Sequence, residues 1–183
     1  VLSFNGEIFN FRELRKKLIA RGAQFRSDGD TEVLAQLLTT EGVSALDICE
    51  GMWAFAFFSR RDETLILSRD RFGEKPLYLY RTENGLFFAS EIKALSCLSG
   101  KEFSPNITQL QRYLVNGYKS LYKNKATFFQ DVEELPAGHC LTVDQRGDIQ
   151  MSPYWRPNFD QQDDSITFED AVKATRTALS LSV

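Results

Sequence analysis

Cysteine and histidine are scarce in this chain: three cysteines (Cys49, Cys97, Cys140) and one histidine (His139) among 183 residues. The cysteines are odd in number and widely spaced. That spacing excludes a disulfide framework or a zinc site built on close pairs, and points to reduced thiols in the cytoplasm. A single histidine leaves almost no material for a Ser-His-Asp or Cys-His catalytic set. His139 follows Pro136-Ala137-Gly138 in a predicted turn before a strand and reads as structural. Excess basic charge is also missing, with 22 Lys and Arg against 25 Asp and Glu and a net charge of -3. Nucleic acid is therefore not an indicated partner. No apolar run reaches membrane-spanning length and there is no signal-peptide pattern, so no membrane partner is indicated either. The longest such run, "MWAFAFF" (Met52–Phe58), has the size of a strand.

What is present is a globular composition, 43% hydrophobic and 26% charged, in a chain long enough for one domain or one and a half. The segment "FNGEIFNFRELRKKL" starts at Phe4. Asn5-Gly6 alone reads as a turn, because this dipeptide favours positive φ. A helix is predicted over Phe11–Arg21, capped by Asn10 with Glu13 completing the box and Gly22 ending it. A second follows over Thr31–Thr39 with Leu34, Leu37 and Leu38 inward, then a helical turn near Ser44–Cys49. "MWAFAFFS" reads as a strand with aromatics on both faces, returned through "RRDE" to "TLILSR". "PLYLYR" and "LFFAS" form a hairpin at Asn84-Gly85, and "EIKAL" begins a helix after Ser90. The block reads as one meander covered by helices on both sides, an α/β/β/α layering. A helix over Ile107–Gly117, an irregular "YKSLYKNKATF", a hairpin over Cys140–Trp155, a polar linker "RPNFDQQDDS" and a helix capped by Thr167 complete the chain.

Five blocks in order, "FNGEIFNFRELRKKL", "GDTEVLAQLL", "EGMWAFAFF", "SRDRFGEKPLYLY" and "FASEIKAL", resemble the N-terminal glutaminase domain of glutamine-hydrolysing asparagine synthetases. These are class II glutamine amidotransferases. Weaker similarity, chiefly "VEELPAGHCLTV", extends the resemblance to about Trp155. It implies an α+β fold, the four-layer αββα sandwich of N-terminal-nucleophile hydrolases. It also implies residues 1–155 as a partial glutaminase domain, and 156–183 as a linker and helix leading to an ATP-dependent synthetase domain. Glutamine is the implied substrate. Asn5 (side-chain amide) and Gly6 (backbone N–H) are the implied oxyanion donors, and Glu7 and Asp30 the implied ligands of the substrate ammonium. Two neutral donors suit a developing O⁻ without adding a competing charge, and carboxylates suit an ammonium. Helix capping is an alternative role for Asp30. Arg69, Asp70 and Arg71 read as a structural charge cluster, Trp53 and Phe55 as core.

In the family the nucleophile is a cysteine exposed as residue 1; here residue 1 is Val1, and an arginine that grips the substrate carboxylate is also expected upstream. The expectation is a fragment lacking its nucleophile, inactive alone and prone to self-association through "VLSF" and Met52–Phe58. No cofactor or metal is expected in these residues. ATP and magnesium belong to the synthetase domain, whose Ser-Gly-Gly-x-Asp-Ser loop does not occur here. A homodimer is left open. The competing reading is a non-catalytic scaffold domain of an asparagine synthetase-like amide- or lactam-forming ligase.

Overall fold

The computed structural model describes residues 1–117, 126–157 and 165–182. Residues 118–125 of the predicted irregular stretch "YKSLYKNKATF" and 158–164 of the linker "RPNFDQQDDS" lie outside the described residues. The elements are β1 (Leu2–Ile8), α1 (Phe11–Ala20), α2 (Asp30–Glu41), a 3₁₀ turn (Gly42–Asp47), β2 (Gly51–Ser59), β3 (Thr64–Arg69), β4 (Tyr78–Thr82) and β5 (Gly85–Ala89). They continue as α3 (Ile92–Ser99), α4 (Ile107–Asn116), β6 (Glu133–Glu134), β7 (His139–Val143), β8 (Ile149–Pro153) and α5 (Phe168–Leu181).

Two antiparallel sheets result, a five-stranded one ordered β1-β2-β3-β7-β8 and a three-stranded one ordered β5-β4-β6. The meander is thus broken. Between β3 and β4 the chain leaves one sheet and enters the other, through a loop tied down by Asp70.

The alternation in β2 explains the layering. Trp53, Phe55 and Phe57 point to one face and pack with Leu14 and Leu18 of α1 and Val33, Leu34, Leu37 and Leu38 of α2. Ala54 and Ala56 point to the other, against a cluster containing Leu67, Leu79 and Leu141 from both sheets. Aromatics do occupy both faces of β2, but unequally: the second face carries only Phe58, at the far end of the strand and 40% exposed. The small alanines let the second sheet approach, while the rings fill the wider gap beneath the helices. On the outer face of the small sheet, Leu95 of α3 packs with Phe103 and Val132. Helices, sheet, sheet and helix make the expected four layers.

Local signals differ from expectation in three places. Asn10 makes no helix-capping bond; its amide donates to Ile48 O (2.9 Å) and accepts from Glu50 N (3.1 Å), sewing the start of α1 to the approach to β2. The hairpin loop is Glu83-Asn84, neither residue with positive φ, and Gly85 already pairs with Thr82 in the ladder. Asn5-Gly6 is no turn, since both residues lie inside β1. The C-terminal helix follows its signal: Thr167 Oγ1 accepts from Asp170 N at 3.2 Å.

Candidate active site

Strand β1 is the edge of the large sheet, with β2 as its one ladder partner among the described residues. The phase of that ladder decides which amides are free. Val1 and Phe58 exchange both backbone bonds at 2.8 Å, and Phe9 N–H reaches Glu50 O at 2.7 Å. Odd-numbered residues of β1 therefore bond to β2, and even-numbered ones face away. Gly6 is even, so its N–H projects from the open edge of the sheet. Ile8 shares that phase, and its N–H donates to Asp30 Oδ2 at 2.9 Å. The Asp30 carboxylate thus sits on the same edge as the Gly6 N–H, two residues or about 7 Å along the strand.

Side chains alternate with the opposite logic. Ile8 is buried and Leu2 and Phe4 pack on the helix-side core, while Ser3, Asn5 and Glu7 face outward and are exposed. Gly6 points inward, where a Cβ would collide with Met52 O and lie 2.7 Å from Trp53 Cα. Only glycine fits this close approach. The Asn5 amide donates from Nδ2 to Ser90 Oγ at 3.2 Å, across from the large sheet to the end of β5. The four predicted site residues, Asn5, Gly6, Glu7 and Asp30, therefore lie along one edge. Asp30 does not cap α2, whose N-cap is Gly29; it caps a free N–H of β1 instead.

Sequence reasoning missed the supports of this edge. Glu32 accepts from Arg26 N (2.9 Å), Ser27 N (2.7 Å) and Ser27 Oγ (2.6 Å), closing the loop that delivers Asp30. The Ser27 hydroxyl, with those amides, holds the Glu32 carboxyl below its usual range. Asp70 is the second support and is 1% exposed. Among the described residues it joins no ion pair: Oδ2 accepts from Trp53 N (3.2 Å) and Lys75 N (3.0 Å), and Oδ1 from Phe72 N (3.1 Å) and Glu74 N (3.0 Å). Trp53 is the register partner of Gly6, so this carboxylate fixes β2 directly beneath the site. Arg69 carries the ion pair, to Glu134 at 3.0 Å, and its guanidinium also donates to the carbonyls of Gly73, Lys75 and Leu135. Arg71 donates to the carbonyls of Asp47 and Cys49 at 3.0 and 3.2 Å. A carboxylate surrounded by N–H groups at positions i+2, i+4 and i+5 is the recoverable signal in "RDRFGEK".

The three cysteines are free. Cys49 and Cys140 are buried, and burial pushes each thiol up to about 11. Neither is an activated nucleophile. His139 donates locally from Nδ1–H to Ala137 O at 2.8 Å, as a turn residue would.

Residues 1–155 match the family model described as a glutamine amidotransferase domain. The chain belongs to this family. Asparagine synthetase [glutamine-hydrolyzing] 1 of Bacillus subtilis is 34% identical over 156 residues, covering 85% of this chain and 24% of that protein. Asparagine synthetase [glutamine-hydrolyzing] 2 of Arabidopsis thaliana is 40% identical over 107 residues, 57% of this chain and 18% of that protein. The amidotransferase domain spans about a quarter of the length of the Bacillus relative. Among solved structures, the glutamine phosphoribosylpyrophosphate amidotransferase of B. subtilis superposes with a TM-score of 0.57 at 20% identity, covering 85% of this chain and 29% of that one. That likeness establishes the fold, the N-terminal-nucleophile hydrolase sandwich, for the amidotransferase domain.

Proposed function

We propose that this amidotransferase domain hydrolyses glutamine to glutamate and ammonia, and does so within a longer, cytoplasmic, asparagine synthetase-like protein that passes the ammonia to an activated aspartate. The observation that carries the proposal is the free edge of β1. A backbone N–H (Gly6) and a side-chain amide (Asn5) stand on adjacent residues there, with carboxylates from Glu7 and Asp30 one to two residues further along. When a thiolate adds to the glutamine carboxamide, the carbonyl oxygen becomes O⁻ and takes both N–H donors. Preorganised donors of this kind stabilise the addition more than the ground state. The substrate α-ammonium then falls to Glu7 and Asp30, through charge-assisted bonds.

The thiolate is not supplied by these residues. Cys49 and Cys140 are buried with raised pKa, and Cys97 lies on α3, on a different sheet layer from Gly6. A polypeptide of residues 1–183 alone is accordingly proposed to release no ammonia. ATP and magnesium are proposed to act in the remainder of the longer protein. The chain has no Ser-Gly-Gly-x-Asp-Ser loop, and among the described residues no three His, Cys, Asp or Glu are grouped to hold a metal.

A scaffold reading draws on a specific observation. Gly6 is required by packing against Met52 and Trp53, and Asp30 is engaged in holding Ile8, so both have structural work without any catalysis. Asn5 and Glu7 face outward, Asn5 with its amide bonded to Ser90 Oγ at an exposed position, and they separate the readings. In the full-length protein, Asn5→Ala should lower glutamine-driven kcat by about 10²- to 10³-fold. Synthesis driven by ammonium salts should be untouched. Unchanged glutamine-driven turnover in Asn5→Ala would overturn the oxyanion assignment, whereas a full-length wild-type protein without glutamine-driven turnover would leave the scaffold.

A further inference from the structure

We propose that Ser90 is a positioning residue for glutamine hydrolysis, holding the Asn5 side-chain amide so that one of its two hydrogens is aimed at the developing oxyanion. The inference rests on the oxyanion reading of Asn5 given above and adds a residue to it.

Asn5 is exposed at a sheet edge, and its side chain would otherwise sample several rotamers. An oxyanion donor that must reorganise during the reaction loses most of its value. The contact that restrains the amide is long-range: Nδ2 to Ser90 Oγ, 3.2 Å, across 85 residues of chain. The amide nitrogen carries two hydrogens. Ser90 takes one, which leaves the second for substrate.

Ser90 is itself well held. It sits between the last residue of β5, Ala89, which pairs with Tyr78, and the first turn of α3. There Ala94 N and Leu95 N both bond to Glu91 O, and the Leu95 side chain is fully buried against the small sheet. A hydroxyl mounted between two packed elements makes a fixed anchor for a side chain on the other sheet. The same bond lets the small sheet register where the large sheet carries its donor, so "FASEIKAL" and "FNGE" act on one amide.

The test is a double-mutant cycle in the full-length protein with glutamine as substrate. Ser90→Ala should lower kcat by about 5- to 10-fold, the loss of one neutral hydrogen bond. KM should stay within about twofold, because the donor acts as charge develops. Ser90→Thr, which keeps the hydroxyl, should restore kcat. In an Asn5→Ala background, Ser90→Ala should have no further effect. An equal loss from Ser90→Ala in both backgrounds would overturn the proposal by showing a general structural defect, and so would an unchanged kcat in the wild-type background. A different result, Asn5→Ala itself without effect, or a wild-type protein without glutamine turnover, would instead overturn the oxyanion reading beneath it.

Discussion

Asp70 carries more of this molecule than any charged residue that a charge count would single out. Four amides converge on its two oxygens, and one belongs to the fully buried Trp53. Replacing it with alanine orphans all four at a site closed to water, where each unsatisfied donor costs about 1–3 kcal/mol. Asp70→Ala should therefore lower unfolding free energy by at least about 3 kcal/mol, read from a shifted urea midpoint at constant m-value. Asp70→Asn retains one acceptor oxygen and should lose less. Asp30→Asn belongs to the same scale and behaves differently. The amide oxygen can still accept from Ile8 N–H, so stability should hold while KM for glutamine rises with loss of the negative charge. A KM change without a change in thermal midpoint distinguishes substrate binding from strand holding.

Among elements, legibility followed periodicity. Helices α1 and α2 and strands β2, β3, β4 and β5 are set by apolar spacing and appear where the sequence puts them, within a residue or two. The N-cap of α1 did not follow, although that of α5 did. Asn10 carries the right side chain for an N-cap, yet Ile48 and Glu50 offer it two long-range backbone partners. No local rule weighs those. The division into two sheets was likewise hidden, because adjacent hairpins in sequence look the same whether they share a sheet or face each other. At the candidate site, the family blocks singled out Asn5, Gly6, Glu7 and Asp30, which the fold gathers along one sheet edge. The phase of β1, which frees Gly6 N–H, required the ladder.

The two buried thiols give the sheet and its 3₁₀ approach a pH signature. Cys49 and Cys140 are raised by burial to about 11 from 9.0. Above pH about 9 the unfolded chain gives up these protons while the folded one keeps them, so the folded state binds more protons and stability falls as pH rises. The loss should run from about pH 9 to 11, at up to about 2–3 kcal/mol per thiol. Ionisation-coupled unfolding should diminish in Cys49→Ala/Cys140→Ala protein. A thiol reagent at pH 8 should label Cys97 alone until the chain is unfolded.

At the scale of the whole molecule, α5 stands apart from the three buried clusters. It buries none of its own residues, and none of them joins a core. A polypeptide ending at Arg156 should therefore melt within about 2 °C of the full 183 residues. A drop of more than about 5 °C would place α5 inside the folding unit and overturn the proposed boundary at residue 155. No helix among the described residues is long and apolar enough to cross a membrane.

The β1–β2 ladder is pinned sterically from both strands. A Cβ on Gly6 would strike Met52 O, and one on Gly51 would strike Glu7 O, with Ile8 Cα at 3.1 Å. Each glycine reserves the space opposite one particular residue, so the two strands can lock in only one alignment. Slipping by a single residue would turn the Gly6 N–H into the sheet and send its neighbour's outward. Descent with modification must then treat Gly51 as it treats Gly6. In a saturation library selected for growth on glutamine as nitrogen donor, position 51 should be as intolerant as position 6, although it never meets the substrate. Insertions would be purged from 42–50 and accumulate instead at 60–63 and 145–148, where the chain can lengthen without moving a register. The catalytic geometry would be inherited as an alignment of two strands rather than as a set of side chains.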